Sequence, residues 1–165
     1  MVFANLLANL NADNIEAVKE VYEDIPLGFE SMHEYQLLLY GWGKFDPQGA
    51  IEYCNQRATG IGAGFATAGV LHGWASKNPQ EALAWVEHPD NVGMSKLYNF
   101  GLVRGWAAND LSGATDYVAG LDQGGDRHEL VKILTTEQLK GGFSPARFWV
   151  EAMGDDNNMK QSAFT

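Results

Sequence analysis

Apolar residues recur along this chain three or four positions apart, and no stretch of useful length alternates apolar and polar residues as a half-buried strand would. The pattern predicts an all-α protein. It also repeats. Gly41-Trp42 returns as Gly73-Trp74 and again as Gly105-Trp106, each time 32 residues on. Downstream the register holds through Asp46, Asn78 and Asp110, then Pro47, Pro79 and Leu111, then Ala50, Ala82 and Ala114. Tyr53, Trp85 and Tyr117 follow, and after them Cys54, Val86 and Val118. One further step reaches Ala146, Trp149 and Val150, with Gln138 where the Trp would stand. A backward step finds Asp13, Ala17 and Val21 with one residue of slip.

Each unit predicts a pair of helices. The first covers 31–43, 63–75, 95–107 and 127–140, with Leu38, Val70, Leu102 and Leu134 in one apolar column. The second begins after Asp46, Asn78 or Asp110, whose side-chain oxygen can satisfy an orphan backbone N–H for about 1 kcal/mol. Pro47 and Pro79 then occupy the first helical position, where a missing N–H costs nothing. Ala at 50, 82, 114 and 146 marks the closest crossing of two helices, and the aromatic residue three positions later fills the gap between units. Helices this short need stacked neighbours to bury their apolar stripe. The chain is therefore read as one helical repeat domain over 1–165. A degenerate unit covers 1–30, repeats cover 31–62, 63–94, 95–126 and 127–158, and a further helix starts at 159–165.

The second-helix string NPQEALAWVE, residues 78–87, resembles the Asn/Asp-Pro, Ala, Trp pattern of tetratricopeptide-type helical-hairpin repeats. The resemblance covers about 130 of the 165 residues. The period here is 32 instead of 34, and Gly-Trp precedes the Pro instead of following it. What the resemblance implies is a right-handed α-solenoid of four to five antiparallel helix pairs, binding a protein or peptide along a groove with no chemistry of its own.

Charge narrows the partners. Twenty-one acidic against 11 basic residues give a net charge of -10, a field that repels a phosphate backbone, so nucleic acid is not expected. A basic peptide or protein stays open, as does acidity that serves solubility alone. No apolar run is long enough to span a membrane, and the opening MVFANLLANL lacks the basic flank of a signal peptide, the first Lys being Lys19. A soluble protein is expected, cytoplasmic if the chain is complete.

Candidate chemistry does not assemble. His33, His72, His88 and His128 occupy four different columns without metal-ligand spacing. Cys54 sits in a column of valines and reads as a small hydrophobe. TGIGAGFATAG, residues 59–69, has Phe65 where a dinucleotide fingerprint needs its third Gly, so it reads as a turn between units. Asp155, Asp156, Asn157 and Asn158 lack the spacing of a calcium loop and read as a turn that caps the next helix. Trp42, Trp74 and Trp106 recur in every unit, which favours packing over ligand contact. Neither a catalytic residue nor a cofactor or metal site is expected.

Columns that vary are released from packing. Tyr40, His72, Arg104 and Thr136 precede the Gly-Trp position, and Gln36, Ala68, Phe100 and Lys132 lie one helical turn earlier. The expected partner-binding residues are Tyr40, His72, Arg104, Gln36, Phe100 and Lys132. At the other extreme, residues 159–165 begin a first helix and stop in mid-helix, which predicts a longer array or self-association through the C-terminal edge. The leading expectation is a non-enzymatic protein- or peptide-binding scaffold. The alternative is a structural spacer or regulatory repeat segment of a longer protein.

Overall fold

Three residues with extended backbone set the second helices in motion. Asp46, Asn78 and Asp110 share one conformation, with φ between −146° and −133° and ψ between 71° and 77°. In the computed structural model they stand directly before α4 (Pro47–Arg57), α6 (Pro79–Val86) and α8 (Leu111–Ala119). The preceding helices are α3 (Met32–Gly43), α5 (Gly60–Ala75) and α7 (Ser95–Ala107). At the start come α1 (Val2–Ala8) and α2 (Ile15–Tyr22); at the end come α9 (Gly125–Leu139) and α10 (Asn157–Phe164). A short 3₁₀ turn, Val92–Met94, leads into α7. The structure describes residues 2–142, 150–151 and 156–164, and among these there is no strand. Ala146, Trp149 and Asp155 lie outside the described residues. Among those described, no helix is long and apolar enough to cross a membrane.

Two devices start the second helices, and each hairpin uses at least one. Asp46 Oδ1 accepts from Gly49 N–H at 3.0 Å while its Oδ2 accepts from Trp42 Nε1–H at 3.1 Å. Asp110 does the same with Gly113 N–H at 2.9 Å and Trp106 Nε1–H at 3.0 Å. One carboxylate thus caps the new helix and ties it to the indole of the old one. A side chain at Gly49 or Gly113 would drive its Cβ to under 3.0 Å from that carboxylate. Asn78 makes no side-chain cap bond, and Glu81 stands where the other two hairpins have Gly. There Pro79 fixes φ and the backbone geometry persists. Around Asp110 the Pro is absent, Leu111 replacing it, and the carboxylate acts alone.

The chain divides into two compact units, Met1–Gly105 and Trp106–Thr165. In the first, α3, α5 and α7 lie side by side at backbone distance. A Cβ on Gly73 would meet the Tyr40 carbonyl oxygen, one on Gly101 that of Ala68, and one on Gly105 that of His72, all under 3.0 Å. Gly43 stands in the same relation to the Val70 carbonyl. Facing positions rise together along neighbouring helices (39 with 69, 40 with 73, 43 with 74; 64 with 97, 68 with 101, 72 with 105), so the three helices run parallel. α4 packs against both α3 and α5 and completes the layer beneath. Leu38, Val70 and Leu102 are fully buried there with Ala50 and Ala82. Trp42 packs on Tyr53, and Trp74 on Trp85, which also meets Tyr98 of α7.

Within the second unit, Trp106 stacks on Tyr117 at 5.7 Å between centroids, and Ala114, Val118, Leu130, Val131 and Leu134 are buried. Buried Arg127 donates to the carbonyls of Val118 (3.2 Å) and Ala119 (3.4 Å) at the end of α8, and pairs with Asp156. Asp156 in turn caps α10 by accepting from Met159 N–H at 2.9 Å. Arg57 performs the same service in the first unit, where one guanidinium nitrogen reaches the carbonyls of Tyr22 (2.9 Å), Glu23 (3.1 Å) and Ile25 (2.8 Å). A cation at these carbonyls complements the negative end of the α2 dipole.

Two expectations are corrected. The N-terminal pair carries no slip: α2 is preceded by Asn14, 32 residues before Asp46, and buries Val18 and Tyr22, whereas Val21 is exposed. The reading of residues 59–69 as a turn is corrected as well: α5, expected over 63–75, begins three residues earlier, at Gly60, and runs through them. Gly60 supplies the one positive φ there, 57°, while Gly64 fits against Met94 and Leu97, and Gly69 against Leu39. Small residues at helix crossings had the composition of a loop.

The crossing can be tested inside one helix. Gly62 of α5 has nothing within 4 Å of where its Cβ would be, so Gly62→Ala should stabilise by about 0.5–1 kcal/mol. Gly73→Ala should destabilise by about 1–3 kcal/mol despite the same gain in helix propensity. Urea denaturation of the two variants reads both, and stabilisation by Gly73→Ala would remove the close-approach argument. A second test concerns Asp110. Its hydrogen bond from Gly113 N–H, and next that from Trp106, hold its carboxyl below the ordinary value. A depressed folded pKa means the contribution is complete above the unfolded pKa of about 3.9 and is lost as pH falls through the folded value. The stability gap between the native chain and Asp110→Asn should therefore be widest near neutrality and close in acid. A gap constant from neutral pH to pH 2 would reject the role assigned to this carboxylate.

Candidate partner-binding face

The close approach of α3, α5 and α7 leaves their outer sides as one continuous face with a floor of backbone and small residues. Tyr40 is half-buried and its ring lies 4.6 Å from that of His72, centroid to centroid, so these two expected residues do come together. Lys44 Nζ sits 4.2 Å from the centre of the Tyr40 ring, a cation–π contact. Gln36 and Arg104 are exposed, and Phe100 is half-buried on α7. Lys132 belongs to the second unit and pairs with Glu129 at 3.3 Å. Five of the six expected residues thus lie on three adjacent helices of the first unit, and the sixth does not.

The apolar part of this face had not been expected. Phe29, just before α3, is 61% exposed and packs edge-on against Phe65 of α5, itself 38% exposed, at 5.2 Å between centroids. Ile61, one turn before Phe65, is 55% exposed. Ile61, Phe65, Ala68 and His72 follow at four, three and four residues, which is the spacing of one helix face. That spacing was visible in the sequence but hidden by reading residues 59–69 as a turn. On α3, Leu37 adds a side chain 64% exposed, three residues before Tyr40.

A second concavity, of about 430 Å³, lies in the second unit between α9 and α10. It brings His128 Nδ1 to 2.8 Å from Ser162 Oγ, a pair that invites a nucleophile reading. The Ser162 hydroxyl also lies 2.8 Å from the Asn158 carbonyl one turn back on its own helix, to which it donates. Arg127 on the same wall is committed to the end of α8 and to Asp156. This is a polar staple between helices.

The remaining audit is brief. His33 and His88 are exposed, and His88 faces Asp90 at 3.5 Å. Among the described residues no three His, Cys, Asp or Glu side chains gather as a metal site would require. Burial pushes the Cys54 thiol up to about 12, and burial also raises the neighbouring Tyr53 phenol. No protein-family model matches the chain, and comparison with curated proteins and with solved structures returned no match.

Cys54 gives a direct check on this core. At pH 8 the native chain should react with a thiol reagent more than about a hundredfold more slowly than the chain in denaturant, because so little thiolate forms and no path leads to it. Equal rates would place Cys54 at an accessible surface.

Proposed function

We propose that this chain is a non-enzymatic scaffold whose tetratricopeptide-like helix pairs present the α3–α5–α7 face to a protein or peptide. One observation carries the reading: Phe29, Ile61 and Phe65 hold large apolar side chains in solvent at adjoining positions, continuous along α5 with the Tyr40–His72 pair. Burying such side chains on a partner removes apolar surface from water, at about 25 cal/mol per Å². The aromatic rings contribute area with few rotatable bonds, which suits hot-spot residues. A helical-repeat architecture, a right-handed solenoid included, is the natural frame for such a face, since stacking units supplies both its width and its rigidity.

Selection of random twelve-residue displayed peptides on the immobilised full chain tests the proposal. Enriched peptides should bind in solution in the micromolar range and weaken about tenfold on Phe65→Ser or Tyr40→Ala, with helicity unchanged. Enrichment of nothing would reject the scaffold and leave the spacer reading. Binding insensitive to both substitutions would move the site off this face.

A further inference from the structure

The protein is acidic, but the candidate face is not. Of the acidic residues in Met1–Gly105, only Glu34 lies on α3, α5 or α7; the others sit on α2, α4 and α6 or in connecting segments. α5 and α7 contain no Asp or Glu at all. The same three helices carry the cations Lys96 and Arg104, with Lys44 following directly at the end of α3, and the imidazoles of His33 and His72. A chain of net charge -10 has therefore cleared negative charge from one face and left cations there.

The face is also polarised along its length. Because α3, α5 and α7 run parallel, their N-terminal ends share one edge and their C-terminal ends the other. Phe29, Ile61 and Phe65 belong to the first edge, in company with Glu30 and Glu34 at the α3 end and with Lys96 in the first turn of α7. Lys44, His72 and Arg104 belong to the second. Cations in a last helical turn complement the helix dipole, and this is the competing explanation for them. Lys44 answers it in part: its ammonium lies over the half-buried Tyr40 ring, 4.2 Å from its centre, and not at the carbonyls that end α3. Among the described residues neither Lys44 nor Arg104 forms an ion pair, so both charges stay available to something arriving from solvent. Two interhelix spacings separate α3 from α7, roughly 16–20 Å, a width that about five or six extended residues cross.

We infer that the occupant of this face is an acidic peptide segment with a large apolar side chain, its carboxylates beside Lys44 and Arg104 and its apolar group against Phe29, Ile61 and Phe65. This rests on the scaffold reading and specifies its partner. It runs against the basic partner that the net charge alone suggests. Glu30 and Glu34 orient the segment at α3, where they repel carboxylates from the apolar edge, while Lys96 leaves the α7 end of that edge open to them.

The composition of the displayed peptides recovered on the full chain separates the two claims. Recovered peptides rich in Asp and Glu with an aromatic or aliphatic residue are expected. Their binding should weaken at least about tenfold in the Lys44→Glu, Arg104→Glu double variant and fall steeply with added salt. Lys77→Glu, an exposed charge reversal in the turn after α5, should leave it within about twofold. All these positions are exposed, so circular dichroism should be unchanged throughout. Basic or neutral peptides that still depend on Phe65 would overturn the acidic partner while sparing the scaffold. Acidic peptides that bind the double variant as well as the native chain would also overturn it. No enriched peptide at all would overturn both.

Discussion

Everything in the first unit depends on how near α5 comes to its two neighbours. Where Gly73 meets the Tyr40 carbonyl and Gly105 meets the His72 carbonyl, no side chain separates the helices. Contacts of this kind bring Cα–H groups against carbonyl oxygens, each worth no more than about 0.5–1 kcal/mol. Their larger effect is geometric. Helices set this close cannot slide without driving Leu39 or Tyr40 into the next backbone, so the register of the three is fixed. Parallel neighbours also place like dipole ends together, a modest penalty that the packing must exceed. α4, running back between α3 and α5, offsets part of it.

The hairpin starts show how the same backbone survives a change of chemistry. At Asp46 a proline and a carboxylate cap act together; at Asn78 the proline acts without the cap bond; at Asp110 the carboxylate acts without the proline. The dihedrals barely differ among the three. Neither device is therefore indispensable, and what they have in common is the burial of the Trp and Ala that follow from the turn. Gly at 49 and 113 belongs with the carboxylate, because a side chain there would collide with it. Glu81 occurs where the carboxylate is missing.

How much of this was legible depended on whether a residue's role repeats. Helix starts, the buried columns at Leu38, Val70 and Leu102, and the Trp packing recur at a fixed period, so alignment of the chain with itself exposes them. Arg57 and Arg127 do the same job once each, from different columns and at different sequence distances from the carbonyls they reach, so no periodic signal marks them. α2 was misregistered by one residue because Val21 resembles the later valines, while burial selects Tyr22. Gly-rich 59–69 failed for a related reason, since glycine marks both loops and close crossings and only the neighbouring helix decides between them. That reading set Ile61 and Phe65 aside, although Phe65 fell within the helix expected over 63–75, and neither was counted among the expected partner-binding residues.

The contrast between global and local charge has a simple physical basis. At physiological ionic strength the screening length is about 8 Å, comparable to one interhelix spacing. A carboxylate brought to the α3–α5–α7 face would therefore feel Lys44 and Arg104 more than Glu52 or Glu81 on the helices that follow in sequence. The distant acids still act at long range, slowing the approach of any acidic segment at low salt. Recognition and steering are thus set against each other: the net charge disfavours encounter, and the local charge favours the bound state. On the proposed reading, such an arrangement would select partners that present their carboxylates together with an apolar group able to use Phe29 and Phe65, and would discriminate against polyanions that offer charge alone.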